Sequence, residues 1–216
     1  MKRYYILSCC IGLLLTGCNN TPTKLTANFN SPFLNQVLYD TSNYYFVDFK
    51  VNTNLSPALP IGVFDSGTGG LTVLSALCNL DNFDNSNLKP IKGGDGISDF
   101  KTEQFIYFGD QANMPYGNYS EVNKTGFLKE LVLKDALFLL GNKYYKTPYD
   151  KTYQKDKQTV KLIVIACNTA TAYGKNDIER MLSSAGSRIK VIGVIDAGVR
   201  GALATFKKDE KLGIGE

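Results

Sequence analysis

Apolar and polar residues in this chain fall into blocks. Leu162 to Ala166 is apolar without alternation, the pattern of a strand buried on both faces, as in a parallel sheet. Polarity changes abruptly at Cys167-Asn168-Thr169. Asn168 and Thr169 are suited to start a helix, because their side-chain oxygens accept free first-turn amides. That helix should run to about Ala185 and close at Gly186. The same strand-then-helix order appears earlier. Pro60 to Asp65 reads as a strand, Ser66 to Gly70 as a Gly-rich turn, and Leu71 to Leu80 as a helix. Its apolar side is Leu71, Leu74, Ala76, Leu77 and Cys78, with Cys78 a small core residue. Gln104 to Gly109 is a further strand. Helical spacing over Ser120 to Leu140 points Phe127, Leu128, Leu131, Leu137 and Leu140 inward. Lys190 to Asp196 is a fourth strand, and Ala197 to Phe206 a short helix. Residues 81–103 and 141–158 are polar, turn-rich excursions. Residues 19–58 are rich in Asn, Thr and Ser; the first part reads as a tether, and Tyr44 to Val51 as an edge strand or a segment packed on the domain. No internal repeat is present. Strands alternating with helices imply parallel pairing through right-handed crossovers. The predicted class is therefore α/β, a flavodoxin-like doubly wound sheet.

In such a sheet, ligands bind beyond the carboxyl ends of the strands. Three segments should share that edge: Asp65-Ser66, the Pro115-Tyr116-Gly117 turn and Cys167-Asn168-Thr169. A thiol at a helix start is suited to act as a thiolate beside a bound carboxylate, because the helix N-terminus favours anions. The competing reading is a small buried Cys packed in the core. The turn at 66–70 lets a ligand approach the backbone while Asp65 and Ser66 face it. It has neither the Gly-Lys-Ser/Thr ending of a P-loop nor the G-x-G-x-x-G spacing, so nucleotide binding is disfavoured. Pro115-Tyr116-Gly117 either lays amides and a phenol over the site or is a simple tight turn.

Composition narrows the chemistry. The chain has 216 residues, 44% hydrophobic, five Cys and no His. Without His, neither a Ser-His-Asp nor a Cys-His hydrolase can be assembled from it, and a metal site is not expected. The opening, MKRYYILSCCIGLLLTGCNN, has a basic start and an apolar stretch from Ile6 to Leu15, too short to span a bilayer comfortably. It ends in Leu15-Thr16-Gly17-Cys18, which resembles the lipobox of bacterial lipoproteins. That resemblance implies removal of residues 1–17, lipidation of Cys18 and attachment to a membrane in the cell envelope. The formal charge of +4 falls when Lys2 and Arg3 leave with the leader. Nucleic acid is not an expected partner. Cys78 and Cys167 then remain, and an oxidising compartment would permit them to pair.

IGVFDSGTGGLTVL (61–74), YFGDQANMPYGNYS (107–120), VIACNTATA (164–172) and VIGVIDAG (191–198), in this order, resemble motifs of the glutamate racemase family, within the aspartate/glutamate racemase superfamily. The likeness covers about residues 60–200, with the polar excursions as insertions. It implies two flavodoxin-like halves facing across the active site. It also implies cofactor-free transfer of an amino acid's α-proton by two cysteines, one on each face. By this resemblance Cys167 is the first catalytic thiol, with Asp65 placed to orient or deprotonate it. Asp65, Ser66, Tyr116, Gly117, Asn168 and Thr169 match substrate-contacting positions. The substrate would be a small amino acid, glutamate or aspartate. Family members often dimerise, so a homodimer is compatible with the likeness.

With the lipobox-like leader and the polar stretch after it, this likeness divides the chain into a signal peptide (1–17), a tether and packing segment (18–58), a first α/β domain (59–189) and the start of a second domain (190–216). The family's second half supplies an opposing Cys and a His, and neither residue follows Cys167. Most of that half is therefore expected to be missing, leaving an apolar face uncovered. Alternatives to a racemase are a carboxylate-binding lipoprotein without turnover, and a one-thiol decarboxylase or isomerase of the same superfamily.

Overall fold

The computed structural model of the chain describes residues 31–49 and 55–206. The leader, Cys18 and residues 207–216 lie outside the described residues. In chain order the elements are α1 (Pro32–Val37), β1 (Ile61–Asp65), α2 (Gly70–Cys78), the two-residue strands β2 (Phe83–Asp84) and β3 (Lys89–Pro90), and β4 (Phe105–Gly109). After a 3₁₀ turn at Gln111–Asn113 come α3 (Asn118–Glu121), α4 (Thr125–Leu140), β5 (Leu162–Ile165), α5 (Asn168–Ser184), β6 (Lys190–Gly193) and α6 (Val194–Phe206).

The main sheet has the order β4-β1-β5-β6, and every pairing in it is parallel. Numbered by appearance in this sheet, that is 2-1-3-4, the order of flavodoxin-like sheets. β1 is buried at all five positions, as its unbroken apolar run predicts. Lys190–Gly193, assigned from sequence to the start of a second domain, instead pairs with Leu162–Ile165 and extends the first sheet. The helix after it begins at Val194, three residues before the expected Ala197.

Two clusters pack the two faces of the sheet. The larger gathers Phe64, Ile163 and Ile165 with α4 and α5, and with Leu34, Val37, Leu38, Val47 and Phe49 from the segment before β1. α4 therefore has a protein neighbour on nearly every side. Leu128, Leu131, Val132, Leu133, Ala136, Leu137, Leu139 and Leu140 are all buried, as a helix with apolar residues all round must be. Residues 44–49 pack on the domain rather than forming an edge strand. The smaller cluster is Ile61, Val63 and Val164, with Val73, Leu74, Leu77 and Phe100 against it.

Four apolar placements differ from the sequence reading. Leu71, Ala76 and Cys78 are exposed, because α2 turns its 73, 74 and 77 positions to the sheet and these three fall to the side. Phe127 is exposed and lies against Tyr119 at a centroid distance of 5.8 Å. The helical pattern over 120–140 is interrupted between α3 and α4 by Asn123, whose φ of 57° is left-handed, a conformation Asn tolerates better than most residues. Gly186 has a φ of 67° and ends α5 as predicted. Cys78 and Cys167 are both free thiols.

α4 and α5 meet where Gly174 faces Val132. A Cβ at Gly174 would lie 2.3 Å from a Val132 methyl, so the helices touch because Gly174 has none. Gly174→Ala should lower stability by about 1–3 kcal/mol in urea unfolding. Adding Val132→Ala should return part of the loss, giving a non-additive double-mutant cycle.

Candidate active site

The register of the sheet sets the site. Asp65 pairs with Gly109 and Phe64 with Ile165, so β1, β4 and β5 end level with one another. Ser66, Asp110 and Cys167 follow at one carboxyl edge. The Gly-rich turn after β1 folds tightly across it. A Cβ at Gly109 would lie 2.6 Å from the Gly67 carbonyl, and one at Gly70 2.6 Å from the Asp65 Cβ. Tyr107 Oη donates to the same Gly67 carbonyl at 3.0 Å, fixing the turn over the strand end.

Cys167 is itself the N-cap of α5, with extended backbone (φ −112°, ψ 126°). Its Sγ accepts the Ala170 N–H at 3.4 Å and lies 3.5 Å from Ser66 Oγ. The cap is thus the thiol, with Asn168 and Thr169 as the first helical residues, rather than the Asn and Thr side chains the sequence suggested. The arrangement gives a thiolate two donors, the Ala170 amide and the Ser66 hydroxyl, at the positive end of a 17-residue helix. Asn168 is exposed and Thr169 half-buried beside it. Thr171, two residues on, returns its hydroxyl to the Cys167 carbonyl at 2.8 Å and so steadies the cap. A polar residue one turn into a helix is the only sequence signal for that role.

Asp65 is buried, and its Oδ2 accepts the Gly70 N–H at 2.8 Å. Its carboxylate therefore holds the start of α2, and the side chain bonded to the thiol is that of Ser66. Gly117 is exposed on the same edge, as the N-cap of α3. Tyr116 differs from the expected phenol laid over the site. It is 1% exposed, and its hydroxyl is directed into the core, 2.7 Å from Asp110 Oδ2 and 2.7 Å from Asp135 Oδ2.

One hydroxyl proton cannot serve two carboxylates. Burial pushes the Asp135 carboxyl up to about 8, with the nearby Asp110 adding in the same direction. At neutral pH Asp135 therefore carries a proton and donates to the Tyr116 oxygen, while Tyr116 donates to Asp110. Asp110 also accepts from Asn113 Nδ2 at 2.9 Å. Burial first, then the charge that Asp135 carries once it ionises at higher pH, together with these hydrogen bonds, hold the phenol well above its ordinary pKa. This chain anchors the Pro115–Gly117 turn from beneath. The sequence carried a signal for it: Asp135 sits among inward positions of α4, where a carboxyl must be neutral or paired.

No protein-family model matches the chain. Glutamate racemase from Syntrophus aciditrophicus is 34% identical over 154 residues, 71% of this chain and 41% of that protein. Glutamate racemase from Neisseria gonorrhoeae is 34% identical over 161 residues, 74% of this chain and 43% of that protein. The crystal structure of glutamate racemase from Thermus thermophilus in complex with beta-chloro-D-alanine is similar over 68% of this chain and 40% of that one, at 31% identity and a TM-score of 0.40. The chain thus spans well under half the length of these relatives.

Asp135 also links stability to pH. Its folded pKa of about 8 lies above the ordinary 3.8, so the folded state holds a proton that the unfolded chain releases. The stabilisation is complete below the lower value and is lost as pH rises to the upper one, at up to about 1.4 kcal/mol per pH unit. Asp135→Asn keeps a donor to Tyr116 and should flatten the stability profile between those two values in urea titrations.

Proposed function

We propose that this chain is the first thiol half of a cofactor-independent amino-acid racemase of the aspartate/glutamate superfamily, with glutamate as the favoured substrate. The observation that carries the reading is the Cys167 thiol at the N-terminus of α5. It is held by Ser66 and Ala170 at the carboxyl edge of the sheet, in a chain similar to glutamate racemases over most of its length.

The geometry suits the chemistry. A substrate carboxylate fits the first turn of α5, where the Asn168 and Thr169 side chains and free amides supply donors. The exposed backbone at Gly117 borders the same edge. The ammonium group suits the negative charge of Asp65, a buried carboxyl at this edge whose Oδ2 is held by Gly70. The Cys167 thiolate takes the α-proton as a general base. The electron pair left on Cα spreads into the carboxylate, which the helix terminus stabilises. Inversion then needs a proton delivered to the opposite face. In the family resemblance that acid is a second cysteine, supplied by a second half.

The decisive measurement is α-proton exchange in D₂O, followed by NMR, with L- and D-glutamate and aspartate offered separately. Cys167→Ser is the control, and it keeps an N-cap oxygen for α5. Exchange that disappears in the mutant, without inversion of the centre, is the expected result. No exchange in a folded chain would overturn the catalytic reading and leave a carboxylate-binding lipoprotein.

The envelope address is a separate part of the proposal, carried by the lipobox-like Leu15-Thr16-Gly17-Cys18. Labelled palmitate should enter the native protein and be absent from Cys18→Ser. Native protein that retains residues 1–17 and carries no label would sink it.

A further inference from the structure

A cavity of about 760 Å³ opens beside β4 and α4. Neither Cys167, Asp65 nor Ser66 lines it, so the proposed proton transfer makes no use of it. Its size falls within the roughly 300–1,000 Å³ of small-molecule sites.

Aromatic rings from four parts of the chain form its walls. Phe108 of β4 and Phe138 of α4 lie with ring centroids 4.6 Å apart. Tyr44, from the segment before β1, stacks on Tyr145, from the 141–158 excursion, at 5.3 Å and 22° between planes. The two segments are pinned to each other. Tyr44 Oη donates to the Lys143 carbonyl at 3.4 Å, and Lys143 Nζ donates to the Asn43 carbonyl at 2.6 Å. The aromatic faces are therefore held in place before any ligand arrives, which reduces the ordering cost of binding.

The charges on the walls are largely answered by protein partners. Lys157 Nζ donates to the Leu139 and Gln158 carbonyls, and Lys134 pairs with Glu130 at 2.7 Å. Asp110 accepts from Tyr116 and Asn113, and Asp135 is bonded to Tyr116. Asp156 is the exposed carboxylate of the lining. Opposite charges are thus interspersed and mostly satisfied, so the walls favour neither an anion nor a cation. They offer aromatic faces together with donors and acceptors. A pyranose matches that combination: its C–H faces stack on the electron-rich faces of aromatic rings, and its hydroxyls bond donors and acceptors alike.

We propose that this cavity is a binding site for a neutral saccharide ring. The full chain would be titrated with methyl β-glucoside and with N-acetylglucosamine, and the tyrosine ring signals followed by NMR. The chain has 13 Tyr and no Trp, so tyrosine fluorescence gives a second, uncluttered readout. Benzoate and benzyltrimethylammonium serve as the aromatic anion and cation of the same size class.

Saturable binding of at least one saccharide is expected. Tyr145→Ala should weaken it about tenfold, while Tyr145→Phe, which keeps the stacked ring, should stay within about threefold. If Tyr145→Ala fails to fold by circular dichroism, Asp156→Ala tests the same site from an exposed position and should weaken binding about threefold. The proposal is overturned by absence of saturable saccharide binding, by saturation with the aromatic ions alone, or by binding that every folded variant leaves unchanged.

Discussion

β1 pairs in parallel with β4 on one side and β5 on the other, with the strand ends level. Three chain reversals must therefore leave the sheet from one edge within a few residues of each other. They fit only because the turn after β1 lies almost against the strands. Gly109 passes the Gly67 carbonyl, and Gly70 passes the Asp65 and Ala166 side chains, at distances no Cβ would permit. This crowding brings Ser66 onto the thiol of Cys167. It also commits Asp65 to the start of α2. Gly67 and Gly70 thus act by allowing close approach; both are buried in ordinary backbone conformations rather than left-handed ones.

The cap of α5 joins structure to chemistry. A helix start needs an acceptor for its first amides. Here that acceptor is the sulfur that the proposed reaction uses as base. The donors that organise the helix are the same ones that would stabilise the thiolate. A serine could replace the cap but not the proton chemistry, since a hydroxyl is a far weaker acid than a thiol. Activity and folding are separable at this residue for that reason.

Much of this was legible in the sequence. The unbroken apolar runs of β1 and β5 gave the parallel sheet, and the polar break at 167 gave the helix start. The similar motifs fell on the edge that the topology brings together. What escaped was set by three-dimensional neighbours. Leu71, Ala76 and Cys78 read as core because helical spacing alone does not say which side of a nine-residue helix meets the sheet. Phe127 found an aromatic partner at the surface instead of a core position. The N-cap thiol was hidden because Asn168 and Thr169 are the usual capping residues. For Tyr116 the sequence left open a phenol over the site or a simple tight turn; the inward phenol was not foreseen, because the two carboxyls that draw its hydroxyl inward come from separate elements. The fourth strand was given to another domain because its pairing with β5 is a long-range fact.

The buried Asp135 has a thermodynamic consequence beyond holding a turn. At neutral pH the native chain carries a proton that the disordered chain gives to solvent. Unfolding therefore titrates the buffer. Its apparent enthalpy includes the buffer's heat of protonation, so calorimetry in phosphate and in an amine buffer would return different values for the same transition. The difference counts net protons, released by Asp135 and, as pH rises towards 8, partly taken up by Lys157, whose ammonium pKa is held down to about 8 by burial; comparing the native chain with Asp135→Asn isolates the first contribution.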